Sequence, residues 1–241
     1  MGRAHEVRAA SMAKTAAAKS KLYSRFGKEL LIAAKNGVPD PDMNLALKRK
    51  IAEAKANQVP ADVIKRAIEK AKGGTAESYD SCRYEGFGPG ASTIIVDCLT
   101  DNTNRSYTNV KTCFNKAHAK LGVAGCVSFN YEEVGYFEFK CDDEEGMMEY
   151  LVEQDVDLLD LSVDEEGVMS IKVSFGDFAK AQDAIEAKLP GIEYDMCEIT
   201  MFPNDDYVEL TDEEDKQMWE RLINGLNECD DVNKIYHNVK E

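Results

Sequence analysis

The chain has 241 residues, 44% apolar and 31% charged, with a formal net charge of −16 at pH 7. That balance excludes wholesale disorder, and no apolar run approaches the ~20 residues that a bilayer-crossing helix needs, so no membrane partner is expected. The acidic average conceals an asymmetry: positions 1–72 hold 16 basic and 7 acidic residues, a net of +9, and the rest hold 13 and 38, a net of −25.

In chain order, residues 1–18 form a basic arm with almost nothing large and apolar, expected to stay mobile until a partner orders it. Residues 3–28 are rich in Arg, Lys, Ala and Ser with Glu6 as the single acid, which also resembles a mitochondrial transit peptide. A helical domain is expected over 19–76. Its first helix runs from Lys19 to Asn36, with Leu22, Phe26, Leu30 and Ala33 inward. The second runs from Asp42 to Ala56, with Leu45, Leu47, Ile51 and Ala54 inward. The third opens at Pro60 and buries Val63, Ile64, Ala67, Ile68 and Ala71 before Gly73-Gly74. Beyond it the pattern predicts strands Ser92–Leu99 and Cys126–Tyr131 around a helix Arg105–His118 with Val110, Phe114 and Ala117 inward. A βαββαβ series follows: Gly135–Lys140, Gly146–Gln154, Asp157–Val163, Val168–Phe175, Phe178–Leu189 and Tyr194–Phe202. A helix Asp212–Leu226, opened by a Thr211/Glu214 capping box, and a strand Lys234–Val239 complete the chain. The fold class is α+β: a small helical domain, then two ferredoxin-like α/β modules, the second inserted into the first. The α/β domain takes 77–133 plus 204–241, and the inserted module takes 134–203.

Catalytic, metal and cofactor motifs fail on spacing. Gly86-Phe87-Gly88-Pro89-Gly90 precedes a strand instead of linking a strand to a helix N-terminus, so it reads as a turn and not a dinucleotide cradle. The acidic runs 142–145 and 212–215 lack the alternating ligands of a calcium loop. Cys113 and His118 lie five apart on one helix, on poorly aligned faces for a nucleophile and base. The seven cysteines include no CxxC and read as reduced, buried thiols of a cytoplasmic protein, with zinc not expected. No catalytic residue, metal or cofactor is therefore assigned. The basic residues are the candidates instead. Arg3, Arg8, Lys14, Lys19, Lys21, Arg25 and Lys28 recur every two to six residues, a density suited to phosphate contact. Arg105, among amide and hydroxyl donors at a helix start, forms a candidate anion seat.

Several segments together resemble the YebC/PmpR family. They are Ala33-Ala34-Lys35 to Asp40-Pro41 with Asn44, Val59-Pro60 to Gly73-Gly74, and above all Tyr84-Glu85-Gly86-Phe87-Gly88-Pro89-Gly90. Leu99-Thr100-Asp101-Asn102 with Asn104-Arg105 follows, then Leu121-Gly122 and Gly125 to Phe129. The family is described as transcriptional regulators and is related to a mitochondrial translational activator of cytochrome oxidase. The resemblance covers essentially the whole chain. It departs at Gly2-Arg3-Ala4-His5-Glu6, which lacks the family's Ser-Lys and Trp, and at Lys116–Lys120, which lacks its paired glycines; both resemble a YeeN-like branch. It implies three domains and a cytoplasmic, non-enzymatic protein that binds nucleic acid, either DNA in transcription or rRNA on the ribosome at difficult stretches such as proline runs. A third class stays open, with the acidic α/β domains serving as a protein-interaction or small-molecule-sensing body.

Overall fold

The computed structural model describes residues 16–74, 78–205 and 207–240. Helices α1 (Ala16–Lys35), α2 (Leu45–Ala56) and α3 (Ala61–Lys72) close on a core of Phe26, Leu30, Ala34, Leu47, Ala54, Val59, Ile64 and Ala67. Asn44 fixes the α1–α2 corner. Its Oδ1 accepts from the Leu47 N–H at 3.0 Å, and its Nδ2 donates to the carbonyls of Ala33 and Val38. This cap starts α2 at Leu45, which leaves Leu45 61% exposed at the first helical position and not inward as its apolarity predicts.

Two four-stranded antiparallel sheets follow, an α+β fold. The first has the order β3-β1-β2-β8 and consists of β1 (Asp80–Phe87), β2 (Thr93–Thr100), β3 (Lys120–Leu121) and β8 (Val232–His237). Helices α4 (Thr103–Lys116) and α7 (Glu213–Glu228) pack on it through Val110, Phe114, Leu222 and Leu226, against Ile94, Val96 and Cys98. The second sheet, β4 (Tyr131–Lys140), β5 (Leu158–Val163), β6 (Val168–Ser174) and β7 (Tyr194–Pro203), has the order β5-β6-β4-β7 expected of a βαββαβ module. Its helices α5 (Glu144–Glu153) and α6 (Phe178–Lys188) cover Phe137, Phe139, Met169 and Ile171. This module is inserted between β3 and α7 of the first sheet.

The chain divides into two compact units. One joins the three N-terminal helices to Glu133–Thr200; the other takes the segment ending at Glu132 and the segment beginning at Met201. Within the first unit α1 and α2 meet β7. Arg25 donates to Glu198 at 3.2 Å, and the Asn57 side chain donates to the Cys197 carbonyl at 3.3 Å.

Three local expectations change. β1 is a strand with no apolar alternation to announce it, held by its pairing with β2 and by the bidentate Arg83–Asp97 pair at 2.6 and 2.8 Å. Cys126–Tyr131 is not a strand, because its N–H groups are taken elsewhere; it turns through a 3-10 segment, Ser128–Asn130, and β4 begins only at Tyr131. The α7 N-cap is Asp212, not Thr211, since the Asp212 carboxylate accepts from the N–H groups of both Glu214 and Asp215.

Removing the fully buried ring in Phe114→Ala is expected to cost about 3–5 kcal/mol, seen as an earlier urea midpoint. Leu45→Ala, although it also truncates an apolar residue, is expected to stay within about 0.5 kcal/mol.

Candidate functional site

The basic residues divide by what already holds them. Arg3, Arg8 and Lys14 lie outside the described residues. Lys19 is exposed near the start of α1, while Lys21, Arg25 and Lys28 are half-buried along it. Arg25 is only 14% exposed. Its guanidinium reaches Glu198 and Glu29, and it sits 4.9 Å from the centre of the Phe26 ring. Its charge is therefore matched inside the unit, by a carboxylate 173 residues away. Lys50 is likewise held between Glu29 at 3.1 Å and Glu53 at 2.5 Å. Burial pulls its pKa down, but the two carboxylates outweigh burial and keep it above the ordinary value.

Available cations include several that the arm-centred pattern passed over. Lys48, Arg49 and Lys55 on α2, and Lys72 at the end of α3, are exposed and make no ion pair among the described residues; the same holds for Lys19. Lys48 and Lys55 are seven residues apart, two helical turns, and so share one face about 10 Å apart along the axis. The only sequence signal for them was the excess of base over acid in α2.

The second candidate region belongs to the other unit and starts on β1. Glu85 is 4% exposed, and its carboxylate accepts three backbone N–H groups at 2.9 Å, from Gly125, Val127 and Ser128. Burial pushes this carboxyl up, but the Val127, Gly125 and Ser128 bonds outweigh that and leave it below its ordinary value. The loop thus held displays Val123 at 77% and Phe129 at 78% exposure.

Gly86 and Gly88 are places where a side chain cannot fit. A Cβ at Gly86 would stand 2.5 Å from both the Lys120 carbonyl oxygen and the Phe114 ring, and one at Gly88 would strike the Ser92 hydroxyl. Pro89 accepts from the backbone N–H and hydroxyl of Ser92, and Gly90 takes a φ of +61°, so Gly88-Pro89-Gly90 is the turn of the β1–β2 hairpin. Phe87 is part-exposed beside Lys120, its partner across β3.

The Asp101–Arg105 segment caps α4. Asn102 Oδ1 accepts from the Arg105 N–H at 3.0 Å. The Arg105 side chain is claimed by Asp101 at 2.6 Å and Asp231 at 2.8 Å, so the chain's own carboxylates occupy the seat expected for an outside anion. Asn104 is exposed, and its carbonyl accepts from the Thr108 hydroxyl. Tyr84 donates to the Thr103 carbonyl, and its ring lies 6.0 Å from that of Tyr107; burial, then the Cys82 hydrogen bond, push its pKa up to about 12. Tyr107 is exposed with Lys111 Nζ 5.5 Å from its ring centre, an i,i+4 pair that sequence reading did not single out. α4 carries Arg105, Lys111 and Lys116 and no acid.

Among the described residues there is no cluster of three potential metal ligands and no helix long and apolar enough to cross a membrane.

Glu85→Ala strands three N–H donors and is expected to cost on the order of 3 kcal/mol, with faster amide exchange at Gly125, Val127 and Ser128. Because the folded carboxyl is held below its ordinary value, its contribution is complete above about pH 4.3 and is lost as pH falls through the lower folded value. Protection of these loop amides, measured relative to their intrinsic exchange rates and followed down from neutral pH, should fall only in that acidic window.

Family models match nearly the whole chain: the TACO1/YebC protein N-terminal domain over residues 3–74, and the TACO1/YebC second and third domain over residues 79–239. A probable transcriptional regulatory protein of Vibrio parahaemolyticus is 47% identical over 240 residues, covering 100% of both chains. Another so named, from Pseudoalteromonas translucida, is 48% identical, covering 99% of this chain and 98% of its own. The crystal structure of a conserved hypothetical protein from Aquifex aeolicus superposes with a TM-score of 0.76 at 32% identity, over 95% of this chain and 93% of the other. With matching models end to end and relatives this close over full length, the chain belongs to the TACO1/YebC family.

Proposed function

We propose that this chain is a non-enzymatic regulator of gene expression that binds DNA through the phosphate backbone, using the basic N-terminal domain. The observation that carries the reading is the set of exposed cations that make no ion pair among the described residues, Lys19, Lys48, Arg49, Lys55 and Lys72, in a chain whose remainder is strongly acidic. Point charges spread over a helical surface neutralise phosphates without reading bases. The acidic α/β body repels the same polyanion and so limits where it docks. The names of the relatives support a regulatory role. Arg25 and Arg105 hold the protein together in this reading; Arg3, Arg8, Lys14, Lys21 and Lys28 extend the contact surface.

A second reading, docking on rRNA, is favoured by the exposed Tyr107–Lys111 pair on acid-free α4. An exposed aromatic ring with a nearby cation suits unstacked bases of single-stranded RNA better than duplex DNA. Lys also outnumbers Arg among the cations of the first 72 residues, 11 to 5, which favours backbone contact over bidentate base readout.

With about five to seven phosphates neutralised, log affinity for duplex DNA is expected to fall with log salt at a slope of roughly −4 to −6. The triple variant Lys48→Glu, Arg49→Glu, Lys55→Glu should flatten that slope by about 2–3 and weaken all DNA sequences alike. A salt-independent affinity would sink the reading. Tyr107→Ala separates the two targets: under the rRNA reading it weakens binding to single-stranded RNA by about 1–3 kcal/mol, whereas under the DNA reading duplex binding is unchanged and remains the tighter.

A further inference from the structure

The sequence reads all seven cysteines as buried thiols, but only Cys98 and Cys197 are fully buried and the other five are half-buried; among them one pair stands close together. Cys113, in the last turns of α4, and Cys229, at the C-cap of α7, are 116 residues apart in sequence, and their Sγ atoms lie 3.7 Å from each other. Both are half-buried and line a surface groove of about 910 Å³ between the two helices. The helices meet closely here because α7 presents Gly225, where an added Cβ would lie 3.3 Å from Cys113 Sγ. The Cys229 thiol also donates to the Gly225 carbonyl at 3.3 Å.

We propose that Cys113 and Cys229 form an oxidisable dithiol site, which takes a low-molecular-weight disulfide from the groove and closes to an intramolecular disulfide tying α4 to α7. Two sulfurs 3.7 Å apart are already near van der Waals contact and must close to about 2.05 Å to bond. The groove gives a reagent access, and Lys116 and Arg221 on its walls make no ion pair among the described residues, so an acidic peptide disulfide meets two cations beside the thiols. Glu228 and Asp230 line the same groove and oppose them, while Asp231 there is held by Arg105, so the groove admits the reagent by access and not by net charge. In the first step one cysteine sulfur, having given up its proton, attacks a sulfur of the reagent; the reagent S–S bond breaks, and the departing thiolate takes up the proton. In the second step the other cysteine sulfur attacks the mixed disulfide and displaces the second reagent thiol in the same way. The two cysteine sulfurs are oxidised and the two reagent sulfurs reduced, so two protein thiols and one disulfide become one protein disulfide and two small thiols.

A competing pair exists: Cys82 and Cys98 face each other across β1 and β2. Cys98 is fully buried, and its burial pushes the thiol pKa up to about 12, so it is poorly placed to react.

Incubating the full chain with glutathione disulfide tests the site, with intact mass, thiol count and peptide mapping as readouts. The expected product has lost two hydrogens and two of its seven thiols, maps to a Cys113–Cys229 link, and reverts with dithiothreitol. Cys113→Ser and Cys229→Ser, first checked for an unchanged far-ultraviolet spectrum, should each stop at a stable mixed disulfide carrying one glutathionyl group, because the second thiol is missing. Cys141→Ser should behave as the parent. A link mapped to Cys82 and Cys98 would overturn the proposal, as would glutathionyl groups accumulating on the parent chain without loss of two hydrogens, or no reaction at either cysteine.

Discussion

The carboxylate of Glu85 decides how the chain leaves the first sheet. It sits on β1, a central strand, and is buried; a charge in that position is tolerable only when hydrogen bonds replace the lost water. The replacement comes from the N–H groups of Gly125, Val127 and Ser128. Those groups are then unavailable to a sheet ladder, so the segment turns through Ser128–Asn130 and releases the chain into β4 at Tyr131. The Tyr131 hydroxyl meets Thr93 at 2.8 Å, completing the attachment to β2. One charged group therefore sets the end of the first sheet, the start of the inserted one, and the display of Val123 and Phe129 between them.

The glycines around Glu85 serve the same arrangement. Gly86 lets β1 lie against the Lys120 carbonyl and the Phe114 ring, which brings β3 close enough for the 122–128 loop to reach the Glu85 carboxylate. Gly88 and Gly90 turn the chain tightly under Trp219 and Leu210, so that β2 returns beside β1 in full register. Within the Tyr84–Gly90 motif, the most specific part of the family resemblance, Glu85, Gly86, Gly88 and Gly90 thus each have a packing or hydrogen-bonding role, while Phe87 stays exposed.

What was legible in the sequence was what local periodicity writes. The stripes through Phe26 and Leu30, and through Ile64 and Ala67, mark helices because every third or fourth residue must face the core, and the βαββαβ rhythm is written the same way. β1 escaped because most of its residues are polar: Arg83 is paired by Asp97 on β2, and the Glu85 carboxylate by N–H groups 40 to 43 residues downstream. The Cys126–Tyr131 stretch misled for the converse reason: its apolar alternation suits a strand, but a carboxylate 42 residues upstream takes the Val127 N–H. The partners of Arg25 and Arg105, 173 and 126 residues distant, leave no trace in local spacing either.

This distinction matters most for charge. Counting Lys and Arg along the first helix treats every cation as equally able to meet a phosphate, yet a cation already matched by a nearby carboxylate gains little from a second anion. Arg25 and Lys50 are in that condition, and so is Arg105 on the other unit. Lys48, Arg49 and Lys55 are not, although they sit on the same helix as Lys50. The inner side of α2 places Lys50 against Glu29 and Glu53, while Lys48, Arg49 and Lys55 are exposed and make no ion pair among the described residues. Helical phase, more than the number of basic residues, therefore selects which positive charges of the N-terminal domain remain available to a polyanion.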